Sequence, residues 1–168
     1  MGEFANTNLH YERSQASQGM GALVAALVWQ MQPKRVVEIG ICSGFITEAL
    51  LKNMPSGSVL YAVDKDSPAI EAAREIHRAI PVGALQLILL CEVSAKVKWK
   101  EIISEGSVDL VVVDGGHALE EARMDLALMV PLLRKGGVMV VHDYALGQPG
   151  VMQAVDEFVA RNGFPMIV

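Results

Sequence analysis

The sequence has little cysteine, few aromatic residues and no cationic excess, and each shortage closes off a class of protein. Two cysteines, Cys42 and Cys91, in 168 residues make no disulfide scaffold and fit a reduced, cytoplasmic protein. In the strand reading given below they follow strands one and three, about 9–10 Å apart. That is beyond the ~7 Å a disulfide tolerates, so free thiols are expected. A net charge of -5 and a pI near 5.3 argue against nucleic acid or an anionic membrane as the main partner. No apolar run reaches the ~20 residues needed to span a bilayer. The longest near-candidate, MGALVAALVWQM from Met20 to Met31, reads as a buried helix. No basic flank followed by an apolar stretch opens the chain, so no secretion signal is expected. Two phosphate-binding signatures are missing as well. Neither G-x-G-x-x-G nor G-x-x-x-x-G-K-[ST] occurs, which opposes a dinucleotide or phosphate cradle.

What is present is hydrophobic residue, 52% of the chain against 20% charged, enough for one core in a single domain spanning 1–168. Residues 1–18 are polar, Gln18–Met31 is helical, and 1–31 together form an N-terminal segment with the potential to act as a lid, His10 and Tyr11 included. From Lys34 the apolar period alternates. Strands are predicted at Val36–Gly40, Ser58–Asp64, Leu85–Leu90, Val108–Asp114 and Val138–Asp143, with a sixth beginning at Met166–Val168. Between them run helices at Phe45–Asn53, Ser67–Ile80, Ala95–Ser104, Leu119–Leu133 and Gly150–Arg161. Ser67-Pro68 opens the second of these and Lys135-Gly136-Gly137 is expected to close the fourth. Strands apolar on both faces, alternating with helices, imply a Rossmann-like doubly wound α/β fold with a mostly parallel sheet covered on both sides. The nine methionines read as core filler, Trp29 and Trp99 as packing, and His77 as surface.

Ligands of such sheets bind at the carboxyl ends of the strands, and here those ends carry acids and histidines. Strand one holds Glu38 and runs into Gly40-Ile-Cys-Ser43-Gly44. Strand two ends in Asp64, followed by Lys65. Strand three leads to Cys91-Glu92, strand four to Asp114-Gly-Gly-His117, and strand five to His142-Asp143-Tyr144. Taken singly, an acid after a strand is often a helix cap; the recurrence in register points to a site. The glycine spacing suits close approach of a ligand that needs no phosphate cradle.

Glu38-x-Gly40-x-x-x-Gly44 with Asp64 resembles the class I S-adenosylmethionine-dependent methyltransferases. VDLVVVDGGHALEEARMDLALMVPLLRKGGVMVVHDY, followed by PGVMQAVDEFV, is similar to their type 24 subfamily, which includes O-methyltransferases of sugars and natural products. The likeness runs from about Val36 to Val159. It implies S-adenosylmethionine as cofactor, with the glycine loop (Gly40, Ser43, Gly44) against its methionyl part. Asp64, beside Lys65, would take the ribose hydroxyls and Glu92 the adenine amino group. Glu38 would hold the loop and the cofactor's ammonium, and Asp114 would lie against cofactor and acceptor alike. By the same resemblance His117 is the base acting on a small-molecule acceptor, with Asp114 and His142 beside it. Asp114 and Asp143 are the ligands of a divalent cation, Mg²⁺ or another. His142 departs from the pattern, which has an acid there. So does the length after strand five, since the family sheet has seven strands and its last pair is truncated here. An open sheet edge invites pairing, so a homodimer is expected. Two alternatives accompany the enzyme reading: a cofactor-binding module that is catalytically degenerate or partner-dependent, and a nucleotide-dependent oxidoreductase.

Overall fold

A computed structural model describes residues 15–81 and 83–167, with side chains from residue 19 onward. His10, Tyr11 and the rest of residues 1–14 of the expected lid fall outside the described residues. The elements run α1 (Gln15–Met31), β1 (Arg35–Ile39), α2 (Phe45–Asn53), β2 (Val59–Asp64), α3 (Ser67–Ala79) and β3 (Gln86–Cys91). A 3₁₀ turn (Ser94–Lys96) follows, then α4 (Trp99–Ile102), β4 (Val108–Val113), α5 (Leu119–Met129), β5 (Leu133–Val141) and α6 (Pro149–Asn162). The five strands form one parallel sheet in the order β3-β2-β1-β4-β5.

Side chains alternate across that sheet, and each face has its own core. Val36 of β1 and Leu110 and Val112 of β4 face α1, α2 and α3, where they meet Val24, Val28 and Leu50. Val37, Ile39, Val111 and Val113 face the other side, against Trp99, Met129 and Leu132. α6 closes that side over α5 through Val151, Ala154 and Val155. This two-sided burial explains why the strands read as continuous apolar runs. It also leaves the polar strand ends together on one edge.

Six expectations need correction. α5 ends at Met129 instead of Leu133, because Pro131 has no N–H to continue the helical ladder. Lys135-Gly136-Gly137 therefore does not close a helix: it lies inside β5, whose register against β4 shifts between Val108 and Leu110. Gly136, at φ +76°, supplies the left-handed conformation that such a bulge requires. Phe164–Ile167 belong to no strand and Ile167 is almost wholly exposed, so among the described residues β5 is the sheet edge; Val168 lies outside them. The helix expected at Ala95–Ser104 is a 3₁₀ turn and a single helical turn, pinned where the Trp99 indole N–H donates to the Ser94 carbonyl at 3.0 Å. Trp99 is buried as expected, but Trp29 is 72% exposed, and His77 is half-buried with no hydrogen-bond partner for Nε2.

Candidate active site

The loop after β1 is built by its own backbone amides. Ile41 and Cys42 N–H donate to Asp64 Oδ2 at 2.8 and 3.0 Å, and Asp66 N–H donates to Asp64 Oδ1 at 2.9 Å. Asp64 thus ties the end of β2 to the glycine loop while keeping lone pairs on both oxygens. Gly40 has φ +87°, and a Cβ on it would stand 1.9 Å from the Asp114 carbonyl oxygen. A Cβ on Gly44, at φ +77°, would lie 2.4 Å from Ile76 Cδ1. The glycines are therefore needed first for approach to the protein's own chain. The first draws the loop against the end of β4, and the second seats α2 beside α3.

Glu38 sits beneath this loop with no solvent exposure. Thr47 Oγ1, on the first turn of α2, donates to its carboxylate oxygens at 3.0 and 2.8 Å. Burial pushes the carboxyl up to about 8; Thr47 opposes the shift, and the neighbouring acids Asp114 and Asp64 add to it. Thr47 is the partner that keeps a buried acid in a strand tolerable.

A groove of about 470 Å³ opens above β1, β2, β3 and β4. Gly40, Asp64, Lys65, Glu92 and Asp114 line it; Glu38, Ser43 and Gly44 do not. Ser43 is exposed. Glu92 turns back on its own chain, accepting from Val93 N–H at 2.8 Å and lying 3.9 Å from Lys96 Nζ. Three acids of α5, Glu120, Glu121 and Asp125, also line the groove, and no sequence signal singled them out. Asp125 is 4% exposed and accepts a short hydrogen bond from Ser94 Oγ. Burial pushes its carboxyl up against that bond. The link joins α5 to the turn after β3, so both walls of the groove are fixed together.

Beside the groove, the ends of β4 and β5 bring together Asp114, His117, His142 and Asp143. His117 Nε2 is 2.8 Å from Asp143 Oδ2. His142 Nδ1 lies between two carboxylates, 2.9 Å from Asp114 Oδ1 and 3.1 Å from Asp143 Oδ2, off the hydrogen-bonding line of either. The Asp114 carboxylate, opposed by partial burial and reinforced by Asp143, raises the imidazole to about 9. Asp143 has φ +59°, a left-handed conformation that Asp tolerates better than most residues, and it turns its carboxylate toward both histidines. The space enclosed under these side chains is only about 10 Å³. Asp114 lines this cleft and the groove alike.

Donor atoms of Asp114, His117 and Asp143 lie within 4.8 Å of one another. Two carboxylates and an imidazole suit a divalent ion. Magnesium prefers oxygen ligands and would take the two carboxylates with water completing its shell, whereas Mn²⁺ or a later transition metal also accepts the nitrogen.

An open parallel sheet in this order, with a glycine loop after β1 and acids at the ends of β2 and β4, defines an α/β domain that takes its ligand at the carboxyl edge of the strands. The chain belongs to the methyltransferase domain family, whose model matches residues 37–144. It is 30% identical over 139 residues to a protein of Mycobacterium tuberculosis named a probable O-methyltransferase, covering 80% of this chain and 60% of that one. A Mycobacterium sp. (strain JLS) relative, also named as an O-methyltransferase, is 30% identical over 128 residues, covering 76% of this chain and 56% of the relative. The chain thus spans a little over half the length of these curated relatives. Among solved structures it is similar in fold to the O-methyltransferase TomG of Streptomyces achromogenes, crystallised with S-adenosylmethionine (TM-score 0.70, 19% identity, 88% of this chain and 69% of that one). It is likewise similar to an O-methyltransferase of Bacillus cereus, crystallised with S-adenosylhomocysteine (TM-score 0.69, 15% identity, 86% and 69%).

Proposed function

We propose that this domain binds S-adenosylmethionine in the groove and transfers its methyl group to an oxygen of a small molecule. The observation that carries the reading is the loop itself. Gly40 is pressed against the Asp114 carbonyl and the next two amides, of Ile41 and Cys42, donate to Asp64, which leaves both carboxylates on the wall of one groove. The cofactor, when bound, supplies the electrophilic methyl; the protein positions the acceptor and removes its proton. Asp64 is the residue for the ribose hydroxyls. His117 is the base: Asp143 Oδ2, 2.8 Å from Nε2, favours the ring form with its proton on Nε2, which leaves the Nδ1 lone pair to take the acceptor's proton. Asp143 orients the ring. Asp114 and His142 form the wall between cofactor and acceptor. The free, exposed thiols of Cys42 and Cys91 support a cytoplasmic location. The one-sided pairing of β5 supports a homodimer.

Asp64→Ala is expected to weaken S-adenosylmethionine binding at least tenfold, since a charge-assisted hydrogen bond is worth about 1.5–3 kcal/mol. Asp64→Asn, whose amide oxygen still accepts from the loop, serves as the control for loop order. Titration calorimetry on the three proteins decides it, and unchanged affinity in Asp64→Ala removes the assignment.

The Asp114 and Asp143 carboxylates, with oxygens within 4.8 Å of each other, support a weak, optional divalent site that leaves His117 as the base. When bound there, the ion would lower the pKa of an acceptor hydroxyl. Turnover is expected to fall but persist after thorough chelation, and Mn²⁺ is expected to restore it better than Mg²⁺. Full turnover surviving both chelation and Asp143→Asn rejects the metal.

A further inference from the structure

Gly150, in the first turn of α6, is a glycine that its own backbone does not call for. It is not among the residues with positive φ, and alanine is the better helix former. Its neighbours supply the reason. A Cβ on Gly150 would stand 2.5 Å from the His117 carbonyl oxygen, 2.8 Å from the Leu119 nitrogen and 3.3 Å from the Ala118 carbonyl carbon. The start of α6 thus lies with bare backbone on the backbone of His117–Leu119. The other side of the same loop is crowded too. A Cβ on Gly115 would be 2.7 Å from Asp125 Oδ2, and one on Gly116 would meet the Glu121 carboxylate. The loop that carries His117 is therefore packed on α5 through its glycines and on α6 through Gly150.

Resting on the reading of His117 as the base, we propose that Gly150 is a positioning residue: the bare first turn of α6 sets the main chain of His117 and so brings its ring to Asp143. One stretch of chain makes both contacts. Asp143 Oδ2 meets Nε2 of the ring at 2.8 Å. Ala145 N–H donates to the Asp143 carbonyl and Gln148 N–H to the Ala145 carbonyl, each at 2.8 Å, so two short turns carry the chain from Asp143 to Gly150. α6 does not back away easily, because Val151 and Ala154 are buried against Ala122 and Leu126 of α5. The His117 carbonyl accepts no hydrogen bond among the described residues, so it is the side that yields. A methyl group at position 150 falls about 1 Å short of ordinary contact with it. A misplacement of about 1 Å can cost a reaction about 10²-fold.

The test compares Gly150→Ala with Gly147→Ala, whose added Cβ meets nothing within 4 Å. Long-range ¹H–¹⁵N spectra of the histidine rings, recorded at about pH 8.5, two units above the ordinary histidine pKa, need no acceptor. Wild type and Gly147→Ala should show His117 in the single form with its proton on Nε2. Gly150→Ala should show it exchanging between both ring forms, as Asp143→Ala does, with the His77 signals unmoved. With any accepted hydroxylated substrate, kcat of Gly150→Ala should fall about 10–10²-fold, with S-adenosylmethionine affinity within about twofold of wild type. In a His117→Ala background the same substitution should lower kcat no further, since the two residues act as one unit. Should Gly150→Ala not fold, Val151→Ala loosens the same turn from α5, and the same spectra and double variant are read. A His117 ring that keeps its single form in the variant overturns the inference and leaves the base reading intact. So does a mixture of forms already present in wild type. A released ring with unchanged turnover overturns the base reading instead.

Discussion

Gly40→Ala is expected to destabilise the domain by at least ~3 kcal/mol, more than a conformational penalty of about 1–2 kcal/mol for a left-handed non-glycine residue would give. The added Cβ would stand 1.9 Å from the Asp114 carbonyl oxygen, where neither side can yield cheaply. Gly40 N–H donates to the Val63 carbonyl and Asp114 N–H to the Ile39 carbonyl, so both backbones are held by the sheet. For a domain of this size the melting temperature should fall by roughly 6–12 °C. Gly57→Ala isolates the conformational part, since Gly57 has φ +78° with nothing within 4 Å of the added atom. Thermal unfolding followed by circular dichroism compares the two variants. Equal shifts would mean that the contact between the loop and β4 is not what Gly40 provides.

His117→Ala is expected to lower kcat by about 10²–10⁴-fold, the usual worth of a positioned general base, with cofactor affinity within about twofold of wild type. The ring stands over the cleft and does not line the groove, which is why the two readouts should separate. Asp143→Ala should reproduce part of that loss, because it removes the 2.8 Å contact that orients the ring. Steady-state kinetics with any accepted hydroxylated substrate, together with cofactor titration, tests both variants. A kcat within about threefold of wild type in His117→Ala would move the proton-accepting role elsewhere.

The sheet was legible because its signal is repeated. VVEIG, LYAVD, LILL, DLVVVD and VMVVHD each bury two faces, and helices separate them. The acids ending those strands were legible for the same reason, since a parallel sheet lines up its carboxyl ends. What escaped was decided by partners remote in sequence. LRKGG reads as a helix stop when seen locally; its place inside β5 follows from pairing with Val108 and Leu110. Thr47 looks like any helical threonine until Glu38 is known to lie beneath it. Asp125 and Glu121 share a helix with residues facing the core, and only the placement of α5 turns them toward the groove. Trp29 escapes a local reading because an apolar, uncharged helix suggests burial all round, whereas α1 presents Val24 and Val28 to the core and Trp29 outward. The glycine spacing suggests room for a ligand, and the atoms that fill that room are those of Asp114 and Ile76.

The central claim is that the groove over β1, β2, β3 and β4 takes S-adenosylmethionine. Titration of the wild-type chain with S-adenosylmethionine, and separately with NAD, tests it without needing the acceptor. The account predicts saturable, single-site binding of S-adenosylmethionine and none of NAD. Binding of NAD with no heat from S-adenosylmethionine would contradict it.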